Sequence, residues 1–174
     1  MKHFKTFYLI FILIFCFQTN TSADIPHYVD FKYVLNESKA GKEAQNFLKK
    51  KLEDGIKNLK KKEKAIQEEE KKIIQQKKLS SAEEYKKKVT DLRSRVASLQ
   101  NERSKLLDDI AKKRSKARTE LLKNLNPIIK EYMKSKKIRM VVDKKSILLA
   151  DENLDITKEI TDLLNKKLKS INLK

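Results

Sequence analysis

Cysteine, glycine, proline and histidine are nearly missing from this 174-residue chain, and tryptophan is absent altogether. Each scarcity excludes something. The only cysteine, Cys16, lies in a segment that reads as a leader. The chain beyond that segment has no disulfide, no thiol nucleophile and no cysteine-based metal site. Glycine occurs only at 41 and 55, so no glycine loop can cradle a phosphate. Beyond the leader one histidine remains, His27, in a stretch that reads as strand. Carboxylates are plentiful, but they alternate with lysines at helical spacing and show no ligand pattern. The expectation is a protein that is not an enzyme and holds no metal or cofactor.

The leader itself is well marked. Lys2 and Lys5 form a short basic region, Phe7 to Phe17 is an apolar run, and Gln18 to Ala23 is small and polar. Thr21-Ser22-Ala23 offers small residues where a signal peptidase reads, which predicts cleavage before Asp24. The run is shorter than the roughly 17 to 25 residues of a membrane span. A lipoprotein signal is a poor fit, because the bulky Phe15 precedes Cys16. Residues 1–23 are therefore read as a signal peptide and the rest as exported.

What the chain does have is positive charge, 42 Lys/Arg against 24 Asp/Glu, and it is unevenly placed. Residues 42–137 carry 30 Lys/Arg against 15 Asp/Glu, while residues 24–41 and 138–174 are close to balance. The same central stretch is periodic. Tyr85, Val89, Leu92, Val96, Leu99, Arg103, Leu106, Ile110, Lys113 and Ala117 succeed one another in steps of four and three, the seam of a left-handed coiled coil interrupted at Arg103 and Lys113. In the first half Leu52, Leu59, Ile66 and Ile73 recur every seven residues. The alternate positions there are Ile56, Glu63, Glu70 and Lys77.

This pattern predicts helices over about Lys42–Lys78 and from Ser81 onward, joined at a tip near residues 79–84. Either Ser80 with Glu83 or Ser81 with Glu84 has capping-box spacing. Pro127 predicts a kink before the helix ends near Lys137, and Gly55 a point of weakness. Both are hinge candidates. Around the hairpin, Ile25–Val29, Ile138–Val142 and Ile147–Ala150 read as strands, with a turn at Asp143–Ser146. Asp155 or Thr157 would cap a last amphipathic helix bearing Ile156, Ile160, Leu163, Leu164 and Leu168. The fold class is mainly α with a small β part: an antiparallel helical arm (42–137) on a small body (24–41 and 138–174). Such a body is small for a self-sufficient core, so association with other copies is expected.

A merely soluble hairpin would carry near-balanced charge, and this one does not. The excess predicts an acidic partner. Export argues against nucleic acid and leaves anionic lipid or lipopolysaccharide, acidic wall polymers, or acidic unfolded proteins. Lys77, Lys78, Lys86, Lys87, Lys88, Arg93 and Arg95, near the tip, are the candidate contacts.

Three stretches resemble the Skp (OmpH-like) family of periplasmic chaperones: Val29 to Lys42, the tip Leu79-Ser80-Ser81-Ala82-Glu83-Glu84-Tyr85, and Val141 to Ile147 followed by Asp155-Ile156-Thr157. They occur in the family's order across nearly the whole exported chain. The aromatic-rich Ile25-Pro26-His27-Tyr28 start departs from the pattern. The resemblance implies a homotrimer with a joint β-body and three arms around a cavity. It also implies an ATP-independent holdase for unfolded outer-membrane proteins in the periplasm of a Gram-negative bacterium. The rival expectation is an exported coiled coil that scaffolds the cell envelope.

Overall fold

The computed structural model describes residues 25–173. The leader and its cleavage site at Ala23 lie outside the described residues. In chain order the elements are β1 (His27–Val29), α1 (Phe31–Glu37), α2 (Lys39–Gln76), α3 (Ala82–Lys136), β2 (Val141–Asp143) and α4 (Thr157–Lys167). Short 3-10 turns at Lys144–Ser146 and Glu152–Leu154 separate β2 from α4.

Helices α2 and α3 form the antiparallel hairpin that the two seams require. At its tip the Ser81 Oγ accepts from the Glu84 N–H at 3.2 Å, and Glu84 Oε2 accepts from the Ser81 N–H at 3.1 Å. Of the two possible capping boxes, this is the one that forms. Those bonds, the backbone one first, hold the Glu84 carboxyl below its ordinary range. At about 1.5 Å per residue, the 55 residues of α3 reach roughly 80 Å.

Helix α2 begins at Lys39, earlier than the expected Lys42, because buried Ser38 caps it by accepting from the Gly41 N–H at 3.2 Å. It ends at Gln76 rather than Lys78. Gly41 is thus inside the first turn, at a joint too tight for any other residue: an added Cβ would lie 2.0 Å from the Leu35 carbonyl oxygen.

The seams are unequally covered. On α2, Leu48, Leu59, Ile66 and Ile73 are buried. On α3 every buried residue lies at or beyond Ile110, and Val96 is 49% exposed. A two-helix arm has one neighbour per helix, and away from the base it is the α3 seam that loses cover while that of α2 keeps it as far as Ile73.

Strands β1 and β2 are parallel, with His27 opposite Val141 and Val29 opposite Asp143. Parallel neighbours need a crossover, and here the whole hairpin is that crossover. The body's core joins Val29 and Val34 to Leu121, Leu125, Ile128 and Ile129 of α3 and to Ile156, Ile160 and Leu164 around α4. The base of α3 therefore belongs to the body's core. Pro127 lies within this stretch, and α3 runs through it as one helix.

Three expectations about the body need correction. The third strand at Ile147–Ala150 does not form. Both edges of β1 are occupied, by β2 and by a parallel bridge from Tyr28 to Asp155, and the 3-10 turn after β2 leads the chain away. Leu148 and Leu149 end up 97% and 90% exposed. The remaining strands are shorter than expected, starting at His27 and Val141 instead of Ile25 and Ile138. Helix α4 has Ile156 at its cap position; Asp155 Oδ1 still accepts from the Thr157 N–H at 2.9 Å, while Thr157 Oγ1 accepts from the Asp30 N–H at 2.9 Å.

Candidate functional site

Two surfaces stand out, the charged arm and a cleft at its root. Along the arm, ion pairs cross between the helices: Lys51–Asp109 at 2.9 Å, Lys62–Glu102 at 2.6 Å, Arg103–Glu63 at 3.9 Å, and Arg95–Glu69. Such exposed pairs contribute little stability but fix which residues face each other. The hydrogen bond from Lys51, reinforced by the charges of Lys51, Lys113 and Lys112, holds the Asp109 carboxyl below its ordinary range against a smaller desolvation effect.

These pairs engage carboxylates and leave lysine-rich faces outward. Of the candidate contacts, Lys78, Lys86, Lys87 and Arg93 are exposed. Lys77 is exposed too, its ammonium 5.7 Å from the centre of the Tyr85 ring. Lys88 donates to Gln76 Oε1 at 3.0 Å. Of these five lysines, Lys77 and Lys78 lie in the tip turn and Lys86, Lys87 and Lys88 on the start of α3. Arg95 is engaged with Glu69, a partner invisible in the sequence because it depends on the register between α2 and α3.

The hinge candidates occupy unlike places. Gly55 faces α3, and a Cβ there would lie 2.5 Å from Leu106 Cδ2. Its missing side chain lets Leu106 fill the seam. Pro127 stands between core residues Leu125 and Ile128.

No local sequence pattern marks the root cleft. It encloses about 1060 Å³ where α1 and the lower parts of α2 and α3 meet. Its apolar floor includes Phe31, Leu35, Leu48, Leu52, Ile110 and Leu121, and its rim carries Lys32, Arg114 and Arg118. Beside it the segment after α4 returns to the hairpin, and Leu173 is buried among Ala44, Leu48, Ile110 and Ala117. The one hint in the sequence is Lys113, a charge at a seam position. Its ammonium donates to the Leu173 carbonyl at 2.6 Å.

Among the described residues no cluster of His, Cys, Asp and Glu could hold a metal ion, and no helix is long and apolar enough to cross a membrane. A long basic helical hairpin rooted in a small parallel-stranded body defines an arm-and-body architecture. The chain belongs to the family of outer membrane proteins (OmpH-like), which it matches over residues 27–164. In structure it is similar to a protein of Caulobacter crescentus CB15 assigned as an OmpH-like outer membrane chaperone. The TM-score is 0.79 at 18% sequence identity, over 90% of this chain and 94% of that one. At that identity the likeness concerns the fold. No match is found among curated proteins.

Proposed function

We propose that this chain is an ATP-independent holdase of the periplasm that keeps unfolded outer-membrane proteins from aggregating. The observation that carries the reading is the arm's charge asymmetry. Cross-hairpin pairs engage Glu63, Glu69, Glu102 and Asp109, while Lys78, Lys86 and Lys87 at the tip are exposed. Membership of the OmpH-like family supports the class of client. An unfolded acidic chain would be steered to the arm by charge, over a Debye length of about 10 Å, and then held by weak apolar contacts along a seam that is only partly covered.

Three copies would associate through their bodies, with arms around a shared cavity, after cleavage near Ala23. Anionic lipid or lipopolysaccharide is a second partner for the same lysines. Flexing at Gly55 or Pro127 would let the cavity follow client size.

The test dilutes a urea-unfolded outer-membrane β-barrel protein into buffer with and without this chain, monitoring light scattering and molar mass. Suppression of aggregation without nucleotide is expected, weakening as salt rises. Unchanged aggregation, with the chain monomeric, would leave the envelope scaffold as the better reading.

A further inference from the structure

From Leu168 to Leu173 the chain has no regular structure, yet it does not trail into solvent. Ile171 packs against both apolar clusters of the molecule, and Leu173 is 3% exposed between α2 and α3. Asn172 between them is on the exposed side. Apolar residues at i and i+2 share a side only in an extended chain; a helix would bring i and i+3 or i+4 together. The hairpin root therefore seats an irregular segment whose alternation at Ile171, Asn172 and Leu173 is that of an extended chain.

The polar contact at this seat ignores side-chain identity. Lys113, 16% exposed, reaches the backbone carbonyl of Leu173 at 2.6 Å, a group every residue possesses. Ala44, Leu48, Ile110 and Ala117, which enclose Leu173, also line the root cleft, so seat and cleft are continuous. The tail lies beyond residue 164, where the family match ends.

We propose that the hairpin root is a binding site for extended segments with apolar residues at alternate positions, and that residues 168–173 are its resident occupant. The ligand class is the unfolded transmembrane β-strand, whose lipid-facing residues alternate in this way. An incoming strand displaces the tail and takes over the apolar seat and the Lys113 ammonium. This inference rests on the holdase reading and names a site within it.

The experiment compares three proteins expressed from Asp24: the full chain, a chain ending at Leu168, and Ala117→Cys with Leu173→Cys. The probe is a fluorescent, urea-unfolded outer-membrane β-barrel protein, with a photo-crosslinking residue at Leu52 reporting contact at the cleft. Shortening should tighten capture about tenfold, the factor expected if the tail fills the site roughly nine-tenths of the time. It should also raise client labelling at position 52. The oxidised cysteine pair should bind more weakly than its reduced form, and reductant should restore binding. Circular dichroism and molar mass confirm that each form is folded; should the shortened chain unfold, the cysteine pair decides alone. Equal capture by oxidised and reduced forms would overturn the site while leaving the holdase reading intact. If no form captures the client, both fall together.

Discussion

Glu63 of α2 and Arg103 of α3 approach to 3.9 Å, so two charges that interrupt the two apolar seams are placed opposite each other. Either one alone would be a defect in its helix. Together they form a polar rung that is satisfied in one register only, a role for which charged seam residues are well suited. Reversing one charge, as in Arg103→Glu, should destabilise the hairpin by about 0.5 to 1 kcal/mol, and adding Glu63→Arg should recover most of it. Urea titrations of the four proteins in the cycle provide the coupling. Additive single effects would show that the rung does not specify register.

Gly55 and Leu106 make the complementary relationship, a gap filled from the other helix. Alanine at 55 gains roughly 1 kcal/mol of helix propensity, but its Cβ would overlap Leu106 Cδ2. Gly55→Ala in the native background should therefore fall short of that gain. In a Leu106→Ala background the same substitution should deliver it, a coupling of at least about 0.5 kcal/mol by thermal or urea unfolding. A hinge role predicts something else, namely that Gly55→Ala reduces arm mobility in NMR relaxation whatever stands at 106.

At the other end of α3, Lys137 is the one non-glycine residue at positive φ among the described residues, at 57°. Its N–H donates to the carbonyls of Met133 and Lys134, and the Ile138 N–H returns to Met133 at 2.9 Å. The helix thus ends in a left-handed turn that glycine adopts without strain. Lys137→Gly should raise stability by about 0.5 to 1 kcal/mol, seen as a higher melting temperature. Lys137→Val should lower it.

The parts of this molecule that are legible in the sequence are those set by neighbours a few residues away. The seam periodicity, a capping box at the tip (Ser80–Glu83 or Ser81–Glu84, of which the second forms) and the Ile156–Leu168 face are of this kind, while the OmpH-like resemblance rests on Val29–Lys42, Leu79–Tyr85 and Val141–Ile147 with Asp155–Thr157. Residues 147–150 mislead because a strand needs an edge within reach as well as its own β-branched and leucine content: β1 has no free edge, and the 3-10 turn at Lys144–Ser146 leads the chain away from β2. Arg95 looks like any exposed arginine because Glu69 stands on the other helix. The Lys113–Leu173 contact joins positions 60 residues apart, and the root cleft gathers residues from Asp30 to Lys145. No local pattern encodes such pairs; they arise from the register of the hairpin and from the return of the C-terminal segment onto it.

Acid sensitivity should centre on Asp155. Burial pushes its carboxyl up, but the hydrogen bonds from Thr157 and the nearby Lys144 ammonium outweigh that together and hold it below the ordinary range. A carboxyl lowered in the folded state adds stability above its unfolded pKa, about 3.9. That contribution is lost as pH falls through the folded value. Its partner Lys144 is raised, chiefly by the hydrogen bond to Asp155, so its contribution is lost only as pH rises through the folded lysine value. Asp155→Asn keeps an oxygen for the Thr157 N–H and removes the charge. The variant should be less stable at neutral pH and should show a shallower loss of stability below about pH 4. Parallel acid limbs for both proteins would mean that other carboxylates dominate.

Leu148 and Leu149 carry the last prediction. Leucines 97% and 90% exposed are unusual on a body this small. Contiguous exposed apolar residues mark interaction sites, and the proposed association of three bodies would cover them. Because neither leucine supports the fold of the single chain, Leu148→Ser with Leu149→Ser should leave helix content and the melting of the isolated chain unchanged. In sedimentation velocity the variant should shift toward the monomer relative to the native protein. Capture of unfolded outer-membrane protein should weaken with it, since a cavity bounded by several arms requires several copies. A variant that keeps the native mass would place the contact between copies elsewhere on the body. A native protein that is itself monomeric would instead remove the assembly, and the two results are distinct in one experiment.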